Sequence, residues 1–190
     1  MSLTSSYLIA LPWIAWWIYW RMASRNAKAV AYRESAVSRA FHIVPLAIAF
    51  ILLAIPSLPL PWLNMRFVPL AIWPFWLGAT LAVAGLLFTV WARVHLAANW
   101  SGTVTIKRDH ELVTSGPYRI VRNPMYTGLL FAIAGTAVWR GDLQGVLATG
   151  IALAALWRKL RVEERVLRKH FGQSYEAYRR RVRALIPYVV

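Results

Sequence analysis

The chain has no cysteine among its 190 residues. Disulfides, thiolate metal sites and a thiol nucleophile are therefore excluded, although the absence identifies no compartment. Acids are nearly as scarce, with 7 Asp and Glu against 22 Lys and Arg. The histidines His42, His95, His110 and His170 show no metal-ligand spacing, and there is no glycine-rich phosphate cradle. Internal repeats, low-complexity tracts and flexible linkers are missing too, so a single domain over 1–190 is expected. What is present is apolar: 59% of the residues are hydrophobic, and 11 are Trp. That proportion does not suit a soluble domain. Many of the aromatic rings sit near the ends of apolar runs, a position favoured at a membrane–water boundary.

A net charge of +15 can suggest nucleic acid, but its distribution argues for a membrane and against nucleic acid. Three long apolar runs, residues 3–20, 41–63 and 68–92, can each cross about 30 Å of hydrocarbon. Two shorter runs follow, 125–139 and 143–157, each reaching only about 22 Å as a straight helix. Arg140-Gly141-Asp142 between them is short enough for a tight antiparallel pair. With five spans, one side of the membrane receives every Lys and Arg except Arg66 and Arg140. The positive-inside rule then places the amino terminus outside and the tail, residues 158–190, in the cytoplasm. The first run has no basic region before it and reads as a retained span, not a signal peptide. Pro45, Pro56, Pro59, Pro61, Pro69 and Pro74 predict kinked or broken helix ends in or beside the second and third spans. The expected fold is all-α: a polytopic membrane protein with about five transmembrane helices, a polar cytoplasmic loop and an amphipathic C-terminal helix.

The polar loop, residues 93–123, carries the chemistry-bearing residues. Asn99-Trp100-Ser101-Gly102 signals a turn, and Thr103-Val104-Thr105-Ile106 alternates like a short extended piece. Ser115-Gly116-Pro117 signals a second turn, with Gly116 free to take positive φ. Asn123-Pro124 opens the next helix, whose first N–H groups favour a nearby anionic group. From charge alone this loop reads equally well as a basic connector touching lipid phosphates.

In the tail, Leu160, Leu167 and Phe171 form an apolar stripe, with most of the arginines opposite. Glu163 and Glu164 fall within about 60° of that stripe. They either pair along the helix with Lys159 and Arg168, or reach a cationic ligand or a base of the polar loop. Beyond Gly172, the residues Tyr175, Tyr178, Val182 and Leu185 resume an apolar stripe, expected to lie along the membrane surface. Gly128, Ala132 and Gly135 are expected to allow close helix packing. His42 and His95, at the ends of apolar runs, read as interfacial residues.

The second half of the chain resembles the isoprenylcysteine carboxyl methyltransferase family of integral-membrane enzymes. The matching elements are His110-x-Leu112-Val113, Gly116-Pro117-Tyr118, Arg122-Asn123-Pro124-Met125-Tyr126-x-Gly128, Glu163-Glu164-x-x-Leu167 and Phe171-Gly172-x-x-Tyr175-x-x-Tyr178, with a weaker match at Asn99-Trp100-Ser101. The resemblance implies S-adenosylmethionine as cofactor, in a pocket walled by His110, Leu112, Val113, Tyr118, Asn123, Pro124, Met125, Tyr126 and Glu163. Asn123 stands where the commoner pattern has histidine, and an amide cannot titrate. The substrate-side arginine of the family maps nearest to Lys159, so Arg158 and Lys159 are the candidates for holding the acceptor, and Arg122 is the catalytic candidate. The implied reaction is methyl transfer to a membrane-partitioned acceptor, such as a prenylcysteine-like or other lipophilic carboxylate. The implied surroundings are membrane lipids, in the plasma membrane of a bacterium or the endoplasmic reticulum of a eukaryote. Alternatives are a phospholipid amine N-methyltransferase, a nicotinamide-dependent membrane reductase, and a non-enzymatic basic protein that binds anionic lipid.

Overall fold

The computed structural model describes residues 3–24, 35–96 and 112–187, which form six α-helices and two short 3-10 turns. The helices are α1 (Leu3–Ala23), α2 (Ala36–Ala54), α3 (Ile72–Leu96), α4 (Pro124–Arg140), α5 (Leu143–Phe171) and α6 (Gln173–Arg181). Among the described residues there is no strand, only two isolated β-bridges, Arg66 with Asp142 and Val121 with Arg183. The all-α reading therefore holds. By length and composition alone, α2 and α3 are apolar enough to cross a membrane. Large apolar side chains point outward along three helices, among them Leu11 and Trp17 on α1, Phe41 and Ile51 on α2, and Leu87 and Trp91 on α3. So much exposed apolar surface fits contact with lipid.

Proline and glycine chemistry sets the boundaries. The predicted second span, 41–63, begins earlier, at Ala36, where Ser35 caps the first turn by accepting the Ser38 N–H at 3.2 Å. It also ends earlier, at Ala54, because Pro56, Pro59 and Pro61 cannot continue a helix. Residues 55–71 instead form a proline-rich connection with a 3-10 turn at Pro61–Asn64. The predicted fifth span and the first part of the tail are one helix: α5 runs unbroken for 29 residues, about 43 Å at 1.5 Å per residue. It stops where Gly172 takes φ +52.

Small residues hold the centre together. Gly78 and Gly85 on α3 face Gly135 and Gly128 on α4 so closely that backbones touch. A Cβ on Gly78 would lie 2.6 Å from the Gly135 carbonyl oxygen, inside any van der Waals limit. Helices packed this way gain dispersion contacts and bring their axes unusually near. The predicted packing role of Gly128, Ala132 and Gly135 is met. On the other side, Ala148, Ala152 and Leu156 of α5 pack with Ala49 and Leu52 of α2 and with Leu129 and Ile133 of α4. α1 docks through its tryptophans: Trp13 Nε1 donates to Thr136 Oγ1 at 3.1 Å, and Trp16 Nε1 to Thr89 Oγ1 at 2.6 Å.

A polar knot closes the end of the bundle where α4 turns into α5. Gly141 takes φ +69 in this tight turn, and Asp142 caps α5 by accepting the Gly145 N–H at 2.9 Å. Arg140 is buried, pairs with Asp142 at 2.8 Å, and donates to the carbonyls of Leu53, Ile55 and Pro56. Those are the orphan carbonyls left where the prolines end α2. One guanidinium thus ties three helices together.

Candidate functional site

The opposite end of the bundle is built from the loop before α4, the outer half of α5 and α6. His110, together with the predicted turn and extended piece at residues 99–106, lies outside the described residues. Leu112 and Val113 are half-buried where the described loop begins. Gly116 takes φ +58, as the turn signal required, and its missing side chain leaves room for the His95 ring, which a Cβ would meet at 2.6 Å. His95 Nε2 lies 2.9 Å from Ser115 Oγ, tying the loop to the end of α3. A residue pair twenty positions apart had no local sequence signal, so this latch was invisible beforehand.

Tyr118 is buried in the 3-10 turn that follows. Its ring stacks toward His95 with centroids 6.4 Å apart, and its backbone carbonyl accepts the Tyr178 hydroxyl at 2.6 Å. Burial, then the charge of Glu163, pushes the Tyr118 hydroxyl above the usual tyrosine range. Tyr118 is consequently a neutral phenol at neutral pH. Glu163, the acid that adds to this shift, is half-buried on α5.

The C-terminal segment straps the loop in place. Arg122 N–H donates to the Arg183 carbonyl at 2.7 Å, and Asn123 N–H to that of Ala184 at 3.1 Å. The Asn123 side chain donates to the same Ala184 carbonyl at 3.3 Å, and Thr127 Oγ1 to that of Leu185 at 2.7 Å. The apolar stripe of α6 faces the rest of the protein. Tyr175 and Tyr178 point inward and are buried, and the helix ends at Arg181, so Val182 and Leu185 belong to the strap.

Arg122 fastens this strap. Its Nη2 sits 2.6 Å and its Nε 2.8 Å from Glu164 Oε1, while Nη1 donates to the carbonyls of Arg179 and Val182. Both side chains are nine-tenths buried. Of the two ways of satisfying Glu164, the structure uses the base of the polar loop, and Arg168 pairs with Glu176 instead.

At the head of α4, Pro124 is buried, and Met125 and Tyr126 are half-buried. Lys159 Nζ stands 5.2 Å from the Tyr126 ring centre, a cation–π distance. Arg158 turns the other way, to α2: it donates to the Ser38 carbonyl at 2.8 Å and to Ser38 Oγ at 3.0 Å, and it lies 3.2 Å from His42 Nδ1. Lys159 thus meets Tyr126 at the head of α4, α6 and the strap hold Tyr118 and Asn123, and Arg158 is left at the α2–α5 contact. Among the described residues no group of His, Asp or Glu could hold a metal ion.

Residues 73–174 match the family described as phospholipid methyltransferase. The relatives include a protein-S-isoprenylcysteine O-methyltransferase B of Arabidopsis thaliana, 30% identical over 59% of this chain and 58% of its own length. A protein-S-isoprenylcysteine O-methyltransferase of Schizosaccharomyces pombe is 36% identical over 52% of this chain and 43% of its own length. The cobalt-zinc-cadmium resistance protein CzcN of Cupriavidus metallidurans is 30% identical over 58% of this chain and 46% of its own length. The chain thus spans about half the length of the curated relatives it matches. With the family match covering over half of the chain, including the loop, α4 and all of α5, the chain belongs to the phospholipid methyltransferase family.

Proposed function

We propose that the chain is an S-adenosylmethionine-dependent carboxyl O-methyltransferase whose acceptor is a lipophilic carboxylate of the prenylcysteine kind. The observation that carries this reading is the contact of Lys159 with Tyr126 at the head of α4, one helical turn from Glu163, an acid whose charge acts on Tyr118. The residues fit the cofactor: a sulfonium cation is favoured by an acid and by aromatic faces, and Glu163, Tyr118 and Tyr126 supply both. Leu112, Val113, Asn123, Pro124 and Met125 would complete the wall, and the resemblance adds His110, which lies outside the described residues. When bound, S-adenosylmethionine supplies an electrophilic methyl group.

This chain's own residues supply position and exclusion of water. Lys159, held against Tyr126, is placed to pair with an acceptor carboxylate. A carboxylate is already ionised at neutral pH and needs no proton removed, so alignment in a closed site suffices. The wall suits that chemistry better than amine methylation, which requires a deprotonated nitrogen. Tyr118 keeps its proton, and Asn123 cannot accept one as a base. Arg122 acts in this reading by fixing the loop to α5 and the strap, since Glu164 and two carbonyls engage its donors.

The membrane arrangement in this reading has five crossings, made by α1 to α4 and the first half of α5. The amino terminus lies outside, and the loop, α6 and the strap lie on the cytoplasmic side, where a water-soluble cofactor enters. A lipophilic acceptor arrives through the bilayer. A labelled-methyl assay against prenylcysteine analogues and total membrane lipid, with identification of the product, tests the acceptor. Label on a prenylcysteine carboxyl is expected; label confined to a phospholipid amine would replace the reading. For the cofactor, calorimetry with S-adenosylhomocysteine should show binding that Glu163→Gln weakens, and an unchanged affinity would remove Glu163 from the pocket.

A further inference from the structure

The basic residues of α5 do not all face the proposed methyl-transfer site. At about 100° per residue, Arg161, Glu164, Arg165 and Arg168 cluster on one side of the helix, and Glu163 and Lys159 project some 150° or more away from that cluster. Arg179 of α6 stands opposite the cluster, and together these five residues line an open cleft of about 130 Å³. By the volume a water takes in the liquid, about 30 Å³, the cleft has room for a phosphate group.

The charges in the cleft do not balance. Glu164 faces it, but its carboxylate is held by Arg122 at 2.6 Å. Glu176 at the rim is shared between Arg168 at 2.8 Å and Arg179 at 3.6 Å. Among the described residues no acid pairs with Arg161 or Arg165, and the Arg161 guanidinium lies 5.9 Å from the Trp157 ring centre. Like charges gathered without counter-charge repel one another, and a bound anion relieves that cost. The guanidinium fork suits phosphate oxygens in particular.

Depth along α5 selects the source of the phosphate. Trp157 ends the apolar part of the helix, and Arg161 follows one turn later, about 6 Å along the axis. The headgroup layer flanking the hydrocarbon is about 5–8 Å thick on each side. In the five-crossing arrangement proposed above, on which this inference rests, the mouth of the cleft therefore begins at headgroup level, beside Trp157. We propose that this cleft binds the phosphate of an anionic phospholipid, with Arg161 and Arg165 as its principal donors and Arg168 and Arg179 released in part from Glu176. The bound lipid clamps the junction of α5 and α6 to the leaflet, on the side of α5 away from the proposed methyl-transfer site.

The test uses the full chain in neutral detergent, with thermal unfolding followed as phosphatidylglycerol, phosphatidylcholine or inorganic phosphate is added. Phosphatidylglycerol is expected to raise the melting midpoint, and the other two to leave it nearly unchanged at the same concentration. Arg161→Gln and Arg165→Gln should each weaken the apparent affinity about tenfold, as loss of a charged hydrogen bond predicts. Arg180→Gln, an exposed position on α6 outside the cleft, removes the same charge and should leave the affinity unaltered. Equal weakening by Arg180→Gln would reduce the effect to diffuse attraction and overturn the site. Equal stabilisation by inorganic phosphate would make it a site for free phosphate, and no response to phosphatidylglycerol would remove it.

Discussion

Replacing Arg122 by Met should release α6 and the strap while leaving the helical bundle folded. The guanidinium and the Glu164 carboxylate are 7% and 10% exposed, so neither is well screened by water. Removing one partner of a buried pair typically costs about 3–5 kcal/mol, because a charge is left stranded. The carbonyls of Arg179 and Val182 lose their donor as well, each worth about 1–3 kcal/mol if water cannot reach it. A whole domain has only about 5–15 kcal/mol to lose, so the cheapest response is local opening of the segment that Arg122 fastens. Hydrogen exchange in the Arg122→Met variant should therefore accelerate across residues 173–187 and much less in α3 and α4. Glu164→Gln keeps an acceptor for one guanidinium hydrogen bond and should open the same segment less. A double variant, Arg122→Met with Glu164→Leu, strands no charge and should cost less than the two single losses combined. Unchanged exchange over 173–187 in Arg122→Met, or strictly additive losses in the double variant, would refute the account of Arg122 as the fastener.

Three further outcomes follow from other parts of the structure. Gly78→Ala should lower the melting temperature, since its Cβ would meet the Gly135 carbonyl at 2.6 Å and overpacking costs about 1–3 kcal/mol; Gly150→Ala, with nothing within 4 Å, should be neutral or stabilising by up to about 1 kcal/mol. Equal melting of the two variants would contradict the packing. Burial raises Tyr118, Tyr175 and Tyr178 above the usual tyrosine value of about 10, so the folded state keeps protons that the unfolded chain gives up. Their contribution is complete below pH of about 10 and is lost as pH rises through the higher folded values. Melting midpoints measured from neutral to alkaline pH should fall beyond that point, less steeply in a Tyr175→Phe, Tyr178→Phe double variant, and an identical fall in both proteins would remove the tyrosines as its cause. Lys159→Ala should raise the KM for the acceptor about tenfold with little change in that for the cofactor, and Lys159→Arg should restore most of it; an unchanged acceptor KM would take Lys159 out of the substrate site.

What could be read in advance was whatever is written in neighbouring residues. Gly116 announced its positive φ because Ser-Gly-Pro is a turn signal, and Asn123-Pro124 announced the start of α4. The small face of α4 was visible in the spacing of Gly128, Ala132 and Gly135, although its partners Gly78 and Gly85 had not been matched to it. The prolines gave warning that helix ends would break, but only the fold showed that Arg140 would satisfy the carbonyls they expose. No periodicity links Arg140 to Leu53, because such a contact depends on where two helix ends meet in space.

The same limit shaped the reading of the two adjacent acids. Helical spacing placed Glu163 and Glu164 near the inward stripe and left open whether they would pair along α5 or reach outward. The fold divides them: Glu164 takes Arg122 from the loop, and Glu163 bears on Tyr118. The 100° between consecutive helical residues aims the two carboxylates in different directions and so favours this division. Glu164 thereby holds the loop to α5, while Glu163 is the acid assigned to the cofactor in the proposed site. The strap reinforces that division, because Tyr178 donates to the Tyr118 carbonyl, and Arg183 and Ala184 hold the backbone of Arg122 and Asn123. Tyr118, Arg122 and Asn123 are therefore positioned by chain that lies about sixty residues later. A loop of turn formers and arginines becomes a defined surface only when α5, α6 and the strap have folded onto it. Ending the chain before Val182 should consequently abolish the proposed binding of S-adenosylhomocysteine, read by calorimetry, while α3 and α4 stay protected from hydrogen exchange.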